Sequence, residues 1–81
     1  MDKNTVEKVI EYATMPVHGT LSRKLRKEVQ IQINDGPILT DATFFLSDPF
    51  IRITESRDGK VVNTYIDWDG VSCVRTLSGE G

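Results

Sequence analysis

The amino-acid sequence predicts a mainly β fold, in which an N-terminal helix precedes a five-stranded, strongly bent antiparallel barrel. Hydrophobic residues recur with helical spacing in the first segment and with a period of two from about residue 28 onward. Three Asp-Gly pairs and one Asp-Pro pair separate the alternating segments, as is typical of turns between antiparallel strands. Five short strands are too few for a sandwich, and they tend to curl into a small barrel with a helix over one end.

The helix is predicted over about residues 4–14. Asn4 followed by Glu7 has the spacing of a capping box, so the helix should begin there and end before Pro16. Its apolar face, at i, i+3, i+4 and i+7 spacing, consists of Val6, Val9, Ile10 and Ala13.

Five strands are predicted after the helix. The first alternates from Val29 to Asn34 and ends at Asp35-Gly36, and the second should place every other residue from Ile38 to Leu46 on one face. The loop Ser47-Asp48-Pro49 interrupts the chain, because proline donates no ladder hydrogen bond. The last three strands are "FIRITES", "KVVNTYIDW" and "VSCVRTL", with Asp-Gly turns between them.

These elements are expected to form one domain over residues 1–81. The barrel would cover about residues 17–77, and residues 78–81 would form a flexible tail. The connector at residues 15–27 stays open at this point, since residues 17–21 could be a short strand and residues 21–27 a helical turn.

A chain of 81 residues buries only about 60 to 65% of its unfolded surface, so its core is thin. The last two predicted strands, Val61–Trp68 and Val71–Leu77, lack the prolines and dense charge that usually blunt a sheet edge. Both observations favour a homo-oligomer that pairs through these strands.

The formal net charge is −2, yet one short run, "SRKLRKE", holds four of the ten basic residues. Any affinity for nucleic acid should therefore come from a local patch and not from the overall field. The patch would consist of Arg23, Lys24, Arg26 and Lys27, although a solvated face is the commoner role of such a run.

The single cysteine, Cys73, cannot form an intramolecular disulfide, and it favours a reducing, cytoplasmic setting. No apolar run approaches the roughly 18 residues of a membrane span, and residues 1–4 lack the order of a signal peptide. We therefore expect no membrane partner.

The sequence contains no catalytic constellation. His18 is the only histidine, and Asp67 with Asp69 is too small a set for a metal site. The six glycines form no phosphate-binding or dinucleotide pattern. We expect neither an enzyme nor a bound cofactor or metal.

Two aromatic residues beside turns, Phe50 and Trp68, are candidates for stacking on an unpaired base. An aromatic residue in such a position more often completes a core or a subunit interface, and taken singly each of the two is expected to do so. The stretch Asp67-Trp68-Asp69-Gly70 is accordingly either a ligand-binding loop or a hairpin corner.

Two motifs resemble those of a known family. The first, "VQIQINDGPILTDATFFLSDPFIRI", contains a strand, a turn, a second strand and a loop centred on Asp48. The second, "YIDWDGVSCV", joins the last two strands. Together with the preceding helix they resemble the Sm and Sm-like (LSm, Hfq) family over roughly residues 29–77. Ala42, Arg52 and Asp67-Trp68 stand where that family commonly has Gly, Asn and Arg-Gly.

The resemblance implies an SH3-type small barrel that assembles into a closed homo-oligomeric ring and binds single-stranded RNA. It places Asp48, Phe50 and Arg52 in one pore-side loop and residues 67–69 in the other. Arg52 would then contact phosphate or base edges, and Trp68 would stack on a base. A structural ring that binds protein and no nucleic acid is the alternative, because Asp48, Asp67 and Asp69 repeated around a ring would repel phosphate.

Overall fold

The computed structural model describes residues 1–79 and is mainly β with an N-terminal helix, as the sequence predicts. The strands form two antiparallel sheets, in the orders β1-β2-β5-β6-β7 and β4-β3-β8, and within residues 1–79 no closed barrel is found. The elements are α1 (Lys3–Ala13), β1 (Thr14–Pro16), β2 (Ser22–Leu25), β3 (Val29–Ile33), β4 (Ile38–Leu39), β5 (Thr43–Leu46), β6 (Phe50–Arg57), β7 (Lys60–Asp67), a 3-10 turn (Trp68–Gly70) and β8 (Val74–Ser78).

Three residues of the predicted apolar face of α1 are confirmed, because Val6, Ile10 and Ala13 are fully buried, whereas Val9 is half-buried. The predicted capping box is wrong. The helix begins at Lys3, and Asp2 occupies the N-cap position without a side-chain hydrogen bond. The helix ends when the backbone becomes extended at residue 14, which starts β1 directly.

The connector forms a β-hairpin. β1 and β2 pair antiparallel, with Thr14 opposite Leu25, and residues 17–21 connect them. Neither open alternative is correct, since residues 17–21 are not a strand and residues 22–25 are not a helical turn. The β structure therefore begins at residue 14 instead of 17 and includes eight strands among the described residues.

The second predicted strand is divided between the two sheets. β4 pairs with β3, and β5 pairs with β2 and β6. The residues between them break the alternation, so Leu39 is buried whereas Ile38 is 49% exposed. The predicted face is wrong for Ile38 and Thr40, which are exposed, and confirmed for Ala42 and Phe44, which are buried. A chain that passes from one sheet to another changes its pairing partner and its inward side.

The three Asp-Gly pairs differ in conformation. Asp58 and Gly59 have φ of 51° and 77° and close the β6–β7 hairpin in two residues, as predicted. At the first pair the left-handed residue is Asn34, at φ 56°. The third pair lies at the 3-10 turn, and β7 and β8 belong to different sheets. The prediction of a hairpin corner there is wrong.

A single apolar cluster fills the space between α1 and the two sheets. It consists of Val6, Ile10, Ala13, Leu25, Ile31, Ile33, Leu39, Ala42, Phe44, Ile51, Ile53, Trp68 and Val71. β7 and β8 lie at sheet edges, in agreement with the sequence prediction. Ser78 belongs to β8 and not to the predicted tail, whose residues 80 and 81 lie outside the described part of the chain.

Replacing Gly59 with alanine should lower the free energy of unfolding by about 1 to 2 kcal/mol, because a Cβ disfavours the left-handed backbone. The strain is conformational, since an added Cβ at Gly59 meets no atom within 4 Å. Chemical denaturation measures the loss. Gly79→Ala is the control, because Gly79 also has open space around it but no positive φ. Equal stability of the two variants would contradict the turn assignment.

Candidate functional site

The five-stranded sheet has one buried face and one open face. Phe44, Ile51 and Ile53 point into the core. Since side chains alternate along a strand, their neighbours Phe45 and Arg52 lie on the opposite side, which we call the outer face. No helix covers the outer face, because α1 packs against β1, β3, β8 and the 3-10 turn.

Four outer-face residues form a compact group, the aromatic row. Phe45 lies opposite Arg52 in the β5–β6 register, and Arg52 lies opposite Tyr65 in the β6–β7 register. The guanidinium carbon of Arg52 is 5.1 Å from the centre of the Phe45 ring, within the range of a cation–π contact. Phe50 completes the row, with its ring centre 5.5 Å from that of Tyr65 and the two planes at 73°.

The members of the aromatic row differ in accessibility. Tyr65 is 59% exposed, whereas Phe45, Phe50 and Arg52 are half-buried. The Nε of Arg52 is buried and has no hydrogen-bond partner within the described residues. The row therefore offers an exposed ring beside a guanidinium that the Phe45 ring holds in place.

Polar residues surround the aromatic row on the same face. Thr54 donates a hydrogen bond of 2.7 Å to the side-chain oxygen of Asn63. Lys24 is exposed and lies opposite Thr43 in the β2–β5 register. Asp67 is exposed and lies opposite Phe50. The outer face therefore carries two cations, Arg52 within the aromatic row and Lys24 beside it, and one anion, Asp67.

Trp68 belongs to the core and not to the open surface. It is only 6% exposed, and its indole N–H donates a hydrogen bond of 3.0 Å to the carbonyl oxygen of Ser47. The Lys3 ammonium lies 5.7 Å from the ring centre. The expectation that Trp68 stacks on a base disagrees with this burial, although its hydrogen bond does bring the loop before Phe50 next to the 3-10 turn.

The other two predicted aspartates lie away from the aromatic row. Asp48 is fully exposed in the loop between β5 and β6, where its carboxylate is 3.3 Å from the Lys3 ammonium. Such exposed pairs contribute little to stability. Asp69 is exposed within the 3-10 turn.

Asn34 holds the irregular segment that follows the 3-10 turn, a role that the sequence analysis does not identify. Its side-chain amide donates to the carbonyl oxygen of Gly70 at 2.9 Å, and its side-chain oxygen accepts from the backbone N–H groups of Ser72 and Cys73 at 2.7 and 3.2 Å. These bonds satisfy backbone groups of residues 70–73, which lie outside the strands. Cys73 itself is half-buried.

The predicted basic patch is divided by the strand alternation. Arg23 points toward α1 and donates from Nε to the Thr14 hydroxyl at 2.8 Å. Arg26 donates from Nε to the Tyr12 carbonyl oxygen at 3.0 Å. Lys24 and Lys27 are exposed. The four residues therefore do not form one surface.

The two arginines act as caps for the C-terminus of α1. The last turn of the helix contains no basic residue, and its free carbonyl groups need donors. Besides the bonds above, Arg23 donates from Nη2 to the carbonyl oxygen of Glu11 at 3.4 Å. These side chains have a structural role in positioning α1.

A cavity of about 290 Å³ opens between the two sheets, away from the outer face. Its lining is mainly apolar and includes Ile33, Leu39, Ile53 and Ile66. The only charged residues in the lining, Glu55 and Arg57, form an ion pair of 2.7 Å with each other. The uncharged polar side chains in its lining are Asn34, which bonds to backbone groups of residues 70–73, and Thr64.

Other candidate sites are not found in the described part of the chain. His18 is exposed in the β1–β2 turn. Residues 1–79 contain no group of three or more potential metal ligands and no helix that is long and apolar enough to cross a membrane.

Comparison of the chain with models of protein families, with curated proteins and with solved structures finds no match. The resemblance to the Sm and Sm-like family consequently rests on the two sequence motifs alone, and family membership stays a prediction.

Phe45 and Tyr65 are the functional candidates that the sequence analysis does not identify. The signal that could have found them is the alternation of buried and outward residues on β5 and β7. That signal becomes decisive only when the register places both residues beside Arg52.

Replacing Arg23 with alanine should lower the free energy of unfolding by about 1 to 3 kcal/mol, since the substitution removes charged donors from Thr14 and from the end of α1. Lys24→Ala removes the same charge from the exposed neighbour and should change stability by less than about 0.5 kcal/mol. Thermal or chemical denaturation measures both. A larger loss for Lys24→Ala would contradict the capping role.

Proposed function

We propose that the chain is a single-stranded RNA-binding module that binds its ligand on the outer face of the five-stranded sheet. The observation that carries the proposal is the aromatic row, in which an exposed tyrosine, two further rings and an arginine lie together on an open surface. Unpaired bases stack on exposed aromatic side chains and on guanidinium planes.

The outer face has a side chain that can contact the base of RNA and side chains that can contact its phosphates. A base can stack on Tyr65, at about 1 to 3 kcal/mol per base. Arg52 and Lys24 can contact phosphate oxygens, and the ring of Phe45 orients the guanidinium in advance. With only two cations on the face and a net charge of −2, affinity should be modest and should decrease with salt. The role needs no catalytic group, metal or cofactor, and Cys73 favours a cytoplasmic setting.

The resemblance to the Sm and Sm-like family supports this function and adds a fold and an assembly. In the proposed form β4 and β5 count as one bent strand, which with β3, β6, β7 and β8 makes a strongly bent, five-stranded small barrel. The β1–β2 hairpin is added beside it. The edge strands β7 and β8 would join neighbouring copies into a closed ring.

The open edge of β7 supports pairing with a second strand. Residues beside a two-residue hairpin turn form a hydrogen-bonded pair, so Arg57 with Lys60 is such a pair and every second residue of β7 bonds to β6. The backbone groups of Val61, Asn63 and Tyr65 consequently point away from β6. They form an unpaired edge that another strand can complete.

A structural ring that binds protein and no nucleic acid is the second candidate. It is favoured by the exposed carboxylates of Asp48, Asp67 and Asp69, which would repel phosphate in every copy of a ring. The exposed apolar side chains of Met15 and Val61 on the outer face would also suit a protein partner.

Tyr65→Ala and Arg52→Gln should each weaken binding of a short labelled single-stranded RNA by about 5-fold or more, because each removes a contact to base or phosphate. Fluorescence anisotropy at low salt measures the affinity, and circular dichroism checks the fold. Tyr12→Ala is the matched control, because Tyr12 is 76% exposed on α1, outside the outer face. Absence of saturable binding by the unaltered protein would favour the structural ring.

Light scattering after size exclusion should give the mass of a closed homo-oligomer, with about five to seven copies if the behaviour of the resembling family applies. Val61→Pro removes an outward N–H from β7 and should shift the protein toward smaller species, while the bonds to β6 stay intact. A monodisperse monomer at micromolar concentration would exclude the ring for the unaltered chain.

A further inference from the structure

Asp67 occupies a distinctive position on the outer face. It follows Tyr65 by two residues on β7, so both side chains emerge on the same side, about 7 Å apart. It lies directly opposite Phe50, whose ring contacts that of Tyr65 edge-on. A carboxylate therefore borders the exposed stacking surface.

The Asp67 carboxylate is not engaged by any cation or donor in the described part of the chain. The ion pairs found within residues 1–79 are Lys3 with Asp48 and Arg57 with Glu55. Arg52 lies on the neighbouring strand, diagonal to Asp67, and the two form no ion pair. The side chain is exposed, and its oxygens are open to a ligand.

A carboxylate discriminates among bases because it only accepts hydrogen bonds. The amino groups of cytosine, adenine and guanine donate to such an acceptor, and aspartate in particular pairs with cytosine N4. Uracil instead presents the O4 oxygen at the position of the cytosine amino group, and its one edge donor, N3–H, lies between O4 and O2, which repel a carboxylate. Two acceptors that face each other repel and leave both groups without a partner.

We propose that Asp67 makes the outer face selective for bases that carry an exocyclic amino group and discriminates against uracil. The base stacked on Tyr65 directs its amino group to the Asp67 carboxylate, and the neighbouring phosphates contact Arg52 and Lys24. This inference rests on the proposed RNA-binding function and specifies the ligand class for the same site.

Cytosine and uracil provide the sharpest comparison, because the two rings have nearly the same size and shape. They differ at C4, which carries an amino group in cytosine and a carbonyl oxygen in uracil, and at N3, which accepts a hydrogen bond in cytosine and donates one in uracil. Oligo-C and oligo-U of the same short length should therefore stack similarly on Tyr65 and differ mainly in their contact with Asp67. We expect the unaltered protein to bind oligo-C about 5-fold more tightly than oligo-U, or better, in anisotropy titrations at low salt.

The test variant is Asp67→Asn, whose amide both donates and accepts hydrogen bonds. It should raise the affinity for oligo-U and reduce the ratio of the two affinities to near one. Asp69→Asn is the matched control, because it removes the same charge from an exposed residue two positions along the chain, in the 3-10 turn. It should leave the ratio unchanged even if weaker repulsion strengthens binding of both ligands.

The possible results separate the two proposals. Saturable binding of both ligands with equal affinity, or a ratio that Asp67→Asn leaves unchanged, overturns the selectivity of Asp67 and retains the RNA-binding function. A loss of selectivity in Asp69→Asn as well would assign the effect to charge alone and also overturn it. If neither oligo-C nor oligo-U binds saturably, the RNA-binding function is overturned, and this inference with it.

Discussion

The burial of Trp68 is the interaction on which the arrangement of the two sheets depends. The chain leaves the five-stranded sheet at the end of β7 and must reach the three-stranded sheet before β8 begins. The indole ring lies in the core at this crossing. Its N–H donates to the carbonyl oxygen of Ser47, in the β5–β6 connection at the same end of that sheet. A buried indole needs such a partner, because an unpaired donor in the core would cost about 1 to 3 kcal/mol.

Two polar side chains extend the constraint set by Trp68 to the rest of the fold. Asn34, at the end of β3, holds the backbone that follows the 3-10 turn and so attaches the second sheet to the crossing. Arg23, on β2, holds the end of α1 over the opposite part of the core. Arg23 and Trp68, which are binding candidates in the sequence, thus stabilise the structure. The accessible ring of the aromatic row, Tyr65, lies instead on the outer face.

The sequence is informative where local chemistry decides the structure. The apolar face of α1 and the alternation of β3 follow from periodicity, and the Asp58-Gly59 turn follows from backbone preference. It is less informative where tertiary pairing decides. The sheet change at residues 40–42 has no Gly or Pro to mark it. The inward direction of Arg23 depends on the pairing of β2 with β5.

The same distinction applies to the candidate site. Phe50, Arg52 and Asp67 are accessible to sequence analysis because they lie beside turns or within a recognisable motif. Phe45 and Tyr65 lie on different strands, 20 residues apart, and only the register brings both next to Arg52. Trp68 is a predicted site residue that the structure places in the core instead. Its position beside an Asp-Gly pair indicates a surface turn, while its size and apolar ring favour the core.

The small size of the outer face also explains why assembly and ligand binding would depend on each other. Within the described residues the outer face of one copy offers a single well-exposed ring, Tyr65, and two cations, so an RNA strand bound to one copy gains little beyond a few kcal/mol. In a closed ring the same strand would meet equivalent faces at fixed separation, and each further contact would be intramolecular. The edge of β7 carries Tyr65 as well as the unpaired backbone groups, so pairing at that edge would fix the position of the stacking ring relative to the next copy. The proposed interface and the proposed binding surface therefore share one strand, and a change in the edge of β7 should alter both properties together.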